Sequence, residues 1–101
     1  MAFIRVSLMT PRPGQDERVK ELLDQLLRFY QARPGFITAY RLAPDAHGEA
    51  KRVGRISVWE SEEYAHRTAN EQRDMSLQSE LKLATLDATH EEHSFTGVQA
   101  E

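Results

Sequence analysis

Few residues in this chain have side chains suited to chemistry. There is no cysteine, one tryptophan, three tyrosines and four histidines, so thiolate nucleophiles, disulfides and cysteine metal sites are excluded. Trp59 closes the run VGRISVW, and Tyr64 and His66 follow a few residues later. Rings at a strand end can wall a pocket, although packing is the plainer reading for Trp59, and core or dimer packing is at least as good a reading for Tyr40 and Tyr64. His66, with Glu62 and Glu63 one turn earlier, could carry a proton because an unperturbed histidine titrates near neutrality; a solvated helix face is the plainer reading. Arg5, Arg41 and Arg55 come from three neighbouring strands and can hold an anionic group, with interchain ion pairing as the alternative. His90 and His93 flank Glu91 and Glu92. On one strand, positions 90 and 93 point to opposite faces, so a shared ion is not expected. His47 sits in a loop, and Gly14 and Gly54 are isolated, so no phosphate loop or nucleotide cofactor is indicated.

The elements that must position these side chains are legible from hydropathy. Phe3 to Thr10 reads as a strand, with Ile4, Val6 and Leu8 on one face and Phe3, Arg5, Ser7 and Met9 on the other. Pro11-Arg-Pro-Gly14 ends it. Asp16 caps the expected helix to about Ala32, whose Val19, Leu22, Leu23, Leu26, Leu27 and Tyr30 repeat at three- and four-residue steps. Pro34-Gly35 stops that helix. Phe36 to Leu42 and Val53 to Trp59 are the next strands, joined by the polar turn region Ala43 to Ala50. Ser61 is the expected N-cap of a second helical stretch, which falters near Arg73-Asp74 and ends near Leu86 in two pieces with a bend. Asp87 to Val98 reads as a polar, exposed or partner-covered edge strand.

Strand, helix, strand, strand, helix, strand is the order of a ferredoxin-like α+β fold: an antiparallel four-stranded sheet with its helices on one face. The expected core joins the first helix to the Ile4/Val6/Leu8 and Ile56/Val58 faces. The opposite face, with Phe3, Met9, Phe36, Tyr40 and Trp59, is too apolar to leave wet. Two copies meeting sheet to sheet would cover it, so a homodimer is expected.

A chain of 101 residues reads as one domain, with its core over about residues 3 to 98. Its net charge is −3, with 13 basic residues scattered among 16 acids, which argues against nucleic acid. The opening FIRVSLM is short and carries Arg5, so it reads as neither signal peptide nor membrane span, and a cytoplasmic setting is the default.

FIRVSLMTPRPGQ, the ARPGF junction and RISVWESEE together resemble the antibiotic-biosynthesis monooxygenase family over roughly residues 3 to 97. That resemblance implies a dimeric α/β barrel and, for its aromatic-polyketide oxygenases, a substrate carbanion that hands an electron to oxygen in a dry pocket without a cofactor. It carries Trp59 to the strand end and Tyr64 to the neighbourhood of a family tyrosine. The asparagine expected upstream is absent, and Arg55 and Ser57 stand in its region. The haem-degrading pattern fails too: Ser7 holds the strand position of an asparagine, the second helix has no tryptophan, and no later histidine comes until His90. The candidate pocket is thus Trp59, Tyr64, His66, Arg55 and Ser7, with no metal or cofactor. The expected function is cofactor-independent oxygenation of a small aromatic, phenolic or quinol substrate; the alternative is a small-ligand-binding or sensing module on the same fold.

Overall fold

A computed structural model describes residues 1–45, 47 and 51–100. Four strands, β1 (Ala2–Met9), β2 (Phe36–Leu42), β3 (Val53–Trp59) and β4 (Glu91–Gly97), form one sheet in the order β2-β3-β1-β4, with every neighbouring pair antiparallel. The helices are α1 (Asp16–Gln31), α2 (Glu62–Ala69) and α3 (Gln72–Ala84), and a single 3-10 turn spans Asp87–Thr89. This is the expected α+β order, with the second helical stretch in two pieces. The bend lies at Asn70-Glu71, a little before Arg73-Asp74. Much of the loop expected to join β2 and β3, at residues 46 and 48–50, lies outside the described residues. Among the described residues no helix is long and apolar enough to cross a membrane.

Local chemistry accounts for the elements. On α1, Val19, Leu22, Leu23, Leu26 and Tyr30 are buried, the stripe that a 3.6-residue period lays along one side. Asp16 stands in the first turn rather than at the cap, which is Gln15; from there its charge still favours the positive helix end. Gly35 follows the helix at φ +78, a left-handed conformation that costs other residues roughly 1–2 kcal/mol. On α3 the buried stripe is Asp74, Leu77, Leu81 and Ala84.

The faces of the sheet are the reverse of the expected ones. Cross-strand pairs Phe3–Trp59, Arg5–Ser57, Ser7–Arg55 and Met9–Val53 lie on the side the helices cover, because Met9 and Trp59 are buried in one cluster with Leu22, Leu26, Leu77 and Leu81. Phe36 packs against that cluster as well. The aliphatic pairs Ile4–Val58 and Val6–Ile56 lie on the open side and are only half-buried. Tyr40 on β2 and Phe95 on β4 share that side, 63% and 55% exposed. Of the five residues expected on the uncovered face, only Tyr40 is there. Alternation along a strand reports that its two faces differ, and the leucine stripe of α1 settles on the face where Met9 and Trp59 give it large side chains to pack against.

Candidate functional site

Putting the mixed face inward carries polar groups under the helices. Ser7, Arg55, Ser57 and Asp74 are all buried, none more than 2% exposed. Burying a charge in a protein interior is costly unless it is paired, so such a group marks a site or a network.

Here it is a cavity. A space of about 250 Å³ opens between the sheet and the α2–α3 pair, with Arg5, Arg55 and Trp59 on the sheet side, Tyr30 from α1, and Asp74 and Gln78 from α3. Ala65 and Ala69 of α2 keep that helix close without filling the space, while Lys82, His90 and Glu92 complete the lining. A larger hollow of about 630 Å³ runs past Met1, Ile37 and Val98, but among the described residues Glu60 is the one ionisable side chain on it, so these residues gather no set of groups able to act together.

Each wall of the smaller cavity is held in place. The Trp59 indole N–H donates to Ser57 Oγ at 3.0 Å, and the Tyr30 and Phe36 rings meet it edge-on with centroids at 5.3 and 5.5 Å, a favoured aromatic geometry. Ser7 donates its hydroxyl proton to Glu92 Oε1 at 3.1 Å, and Arg55 lies 4.0 Å from the same carboxylate oxygen. Arg5 stacks over the Phe3 ring, 5.3 Å from its centroid.

Burial sets the electrostatics. It pushes the Tyr30 phenol up to about 12, with Arg55 pulling down and Asp74 pushing up; Tyr30 therefore remains a neutral hydrogen-bond donor at any ordinary pH. Burial also raises Asp74 above the usual carboxylate value, against the opposing pull of Arg55, Gln78, Tyr30 and Arg5 around it. Among the described residues, three polar atoms of the lining have no hydrogen-bond partner: Asp74 Oδ2, Arg55 Nη1 and Arg5 Nε.

The structure gathers Trp59 and Arg55 at this cavity and places Ser7 next to them through its bond to Glu92. Tyr64 and His66 lie elsewhere. Tyr64 packs over Gly35, lines a separate groove with Arg33 and Glu71, and has Arg67 above its ring. His66 is half exposed on the outer side of α2, 3.5 Å from Glu62 and edge-on to Phe3. Of the three strand arginines, Arg5 and Arg55 converge on the cavity, and Arg41 instead bonds Asp24 of α1 at 2.8 Å. His90 lines the cavity, whereas His93 pairs across to Val6 on the open face beside Phe95. Asp74 and Tyr30 are among the members that sequence reasoning missed, along with Gln78 and Lys82. The signal was present in the spacing, since Asp74 stands three and seven residues before Leu77 and Leu81 on one stripe.

The architecture is the ferredoxin-like α+β fold found in antibiotic-biosynthesis monooxygenases, the family the sequence resembles. In particular, it superimposes on SnoaB, a cofactor-independent oxygenase from Streptomyces nogalater, with a TM-score of 0.81 at 18% identity, covering 98% of this chain and 95% of that one. Rv0793 from Mycobacterium tuberculosis matches with a TM-score of 0.84 at 12% identity over 99% and 98% of the two chains. A candidate antibiotic biosynthesis monooxygenase from Nitrosomonas europaea gives 0.83 at 10% identity over 96% and 90%. No protein-family model matches the sequence, and no curated protein matches it. At these identities the likeness is one of fold.

Proposed function

We propose that this chain is a monooxygenase that uses no bound cofactor and oxidises a small aromatic, phenolic or quinol substrate in the Trp59 cavity. The observation that carries the reading is a buried arginine, Arg55, facing a recess walled by Trp59 and Tyr30, in the fold of a cofactor-independent oxygenase. An anthrone-like substrate supplies its own electrons: with O2 its ring-flanked CH2 becomes C=O, both C–H bonds break, and the second oxygen atom leaves as water. The protein's part is to seat the ring, exclude water and stabilise the anion that forms on the way to oxygen attack. Oxygen uptake over a panel of one- to three-ring quinols and anthrone-like ketones tests it. Turnover above buffer that falls in Arg55→Met supports the reading, and no turnover anywhere on the panel refutes it.

A second reading, a binding or sensing module without chemistry, is favoured by Arg55 and Ser57 standing where the resemblance leads one to expect asparagine. Saturable quenching of Trp59 fluorescence with no oxygen consumed would select it.

The partner proposed is a second copy, docked through the open sheet face. Half-buried Ile4, Val6, Leu8, Ile56 and Val58, flanked by exposed Tyr40 and Phe95, support this, since a sheet with an apolar face must cover it with another layer.

A further inference from the structure

We propose that Asp74 is the catalytic base of the cavity, taking a proton from a one- or two-ring carbon acid or phenol seated against Trp59, while Arg55 and Arg5 hold the resulting enolate or phenolate. The proposal deepens the oxygenase reading, on whose cavity it rests, by naming the residue that makes the anion and the ligand class that can become one.

Three observations converge. Asp74 opens the buried stripe of α3 and is 2% exposed, so its carboxyl is pointed inward at the fold rather than at water. The unpartnered atoms Asp74 Oδ2, Arg55 Nη1 and Arg5 Nε belong to residues that line one space. An unsatisfied buried polar group is costly, and a merely structural ion pair would satisfy acceptor and donors against each other. Here Asp74 Oδ2, Arg55 Nη1 and Arg5 Nε are left open, although Tyr30 and Gln78 stand within hydrogen-bonding reach of the Asp74 carboxyl. A ligand with an acidic hydrogen beside an oxygen completes both sets: the hydrogen meets Oδ2 and the oxygen takes the arginine N–H groups. The volume of about 250 Å³ falls below the ~300–1,000 Å³ of sites for drug-sized ligands, which favours one or two rings over three.

The step balances within the cavity. The ligand's C–H or O–H bond breaks, its proton goes to Asp74 Oδ2, and its electron pair stays on the ligand, spread onto the oxygen beside Arg55. Asp74 becomes neutral as the ligand becomes negative, so the total charge under the helices is unchanged and no ion need be drawn from water. The groups around the cavity suit this exchange: Tyr30 from α1 stays a phenol, Arg5 and Arg55 from β1 and β3 supply guanidinium N–H groups, Gln78 and Lys82 share α3 with Asp74, and His90 and Glu92 complete the lining. Burial makes Asp74 a stronger base than an exposed carboxylate.

The test reads proton abstraction apart from oxygen chemistry. The full chain is incubated with 2-tetralone in D2O without oxygen; loss of the C1–H signal is followed by NMR, and binding by Trp59 fluorescence. The wild type is expected to exchange deuterium above buffer. Asp74→Asn should bind the ketone but lose exchange by about 10²–10⁴-fold, and Asp74→Glu should recover part of it. A wild type that fails to bind, or binds without exchange, or an Asp74→Asn variant that exchanges as fast as wild type, overturns the proposal. Exchange here, with no oxygen uptake anywhere on the quinol and anthrone-like panel, leaves it standing and removes the oxygenase reading.

Discussion

Replacing Asp74 with asparagine should stabilise the fold, and by an amount that depends on pH in one direction. Burial raises the Asp74 proton affinity in the folded chain above the ordinary carboxylate value of 3.8. A group whose folded pKa is raised contributes stability that is fully present below its unfolded pKa and is lost as pH climbs through the folded one. Wild type thus loses stability as pH rises from about 3.8, while an asparagine, never charged, escapes that loss. Each tenfold change in proton affinity is worth about 1.4 kcal/mol, and the unpartnered Oδ2 independently suggests a cost of roughly 1–3 kcal/mol. A gain of 1 kcal/mol moves the midpoint of a chain this size by about 4–8 °C. Thermal unfolding by circular dichroism, at one fixed protein concentration from pH 4 to 8, should show Asp74→Asn melting higher than wild type at pH 8, with the gap closing toward pH 4. A gap that is constant with pH, or a variant that melts lower at neutral pH, would refute the electrostatic account of this residue. A side chain that destabilises its own fold and is also required for exchange would place the cost of Asp74 in function.

Other perturbations probe the supports of the site. Gly35→Ala would put a Cβ 2.2 Å from the Tyr64 ring at a φ of +78, so chemical denaturation should show a loss well above the ~1–2 kcal/mol of the left-handed backbone alone; a Tyr64→Ala background should relieve the ring's share of that loss but not all of it, because the Tyr64 Cβ itself lies 2.6 Å away. Gly54→Ala would bring a Cβ to 1.9 Å from the Ser7 carbonyl oxygen and should push β1 from β3, read as lost amide-exchange protection along both strands. Trp59→Ala, which empties a site 2% exposed, should cost about 3–5 kcal/mol in urea unfolding and abolish ketone binding.

The order of elements was legible because strands and helices carry different periods, and the stripe of α1 could be read residue by residue. The inward side of the sheet was not. Ile4, Val6 and Leu8 form a more uniformly apolar row than Phe3, Arg5, Ser7 and Met9, so hydrophobicity alone points the wrong row at the helices. Ser7, Arg55 and Ser57 are acceptable under helices only because Glu92, Trp59 and the cavity give them partners, and those partners are contributed from elsewhere in the chain. Asp74 was passed over for the same reason: a charged residue looks like a break in an apolar stripe until something is found for it to face. On α2, the inward positions are Ala65 and Thr68, and that helical phase leaves Tyr64 and His66 outside the cavity.

The reversal of the faces also separates the two roles of the sheet, and that separation can be tested. Had Arg5, Ser7, Arg55 and Ser57 faced the open side, they would lie in the proposed dimer interface, and a partner could complete or block the site. They lie instead beneath helices of their own chain, at the cavity that β1, β3 and the helices wall, and with a partner on the open face two such cavities would sit on opposite outer sides of a sheet-to-sheet pair. Tyr40 is 63% exposed and Phe95 55% exposed in the single chain, so Tyr40→Glu with Phe95→Lys should cost a lone subunit little, yet would bury charges at a sheet interface. Sedimentation should then show wild type at twice the chain mass and the double variant at one chain mass. Trp59 fluorescence should still report one bound ketone per chain with similar affinity. Loss of binding in a folded single subunit would mean that the neighbouring copy shapes the cavity after all; a wild type that already sediments as one chain would leave the aliphatic face of the sheet without the cover proposed for it.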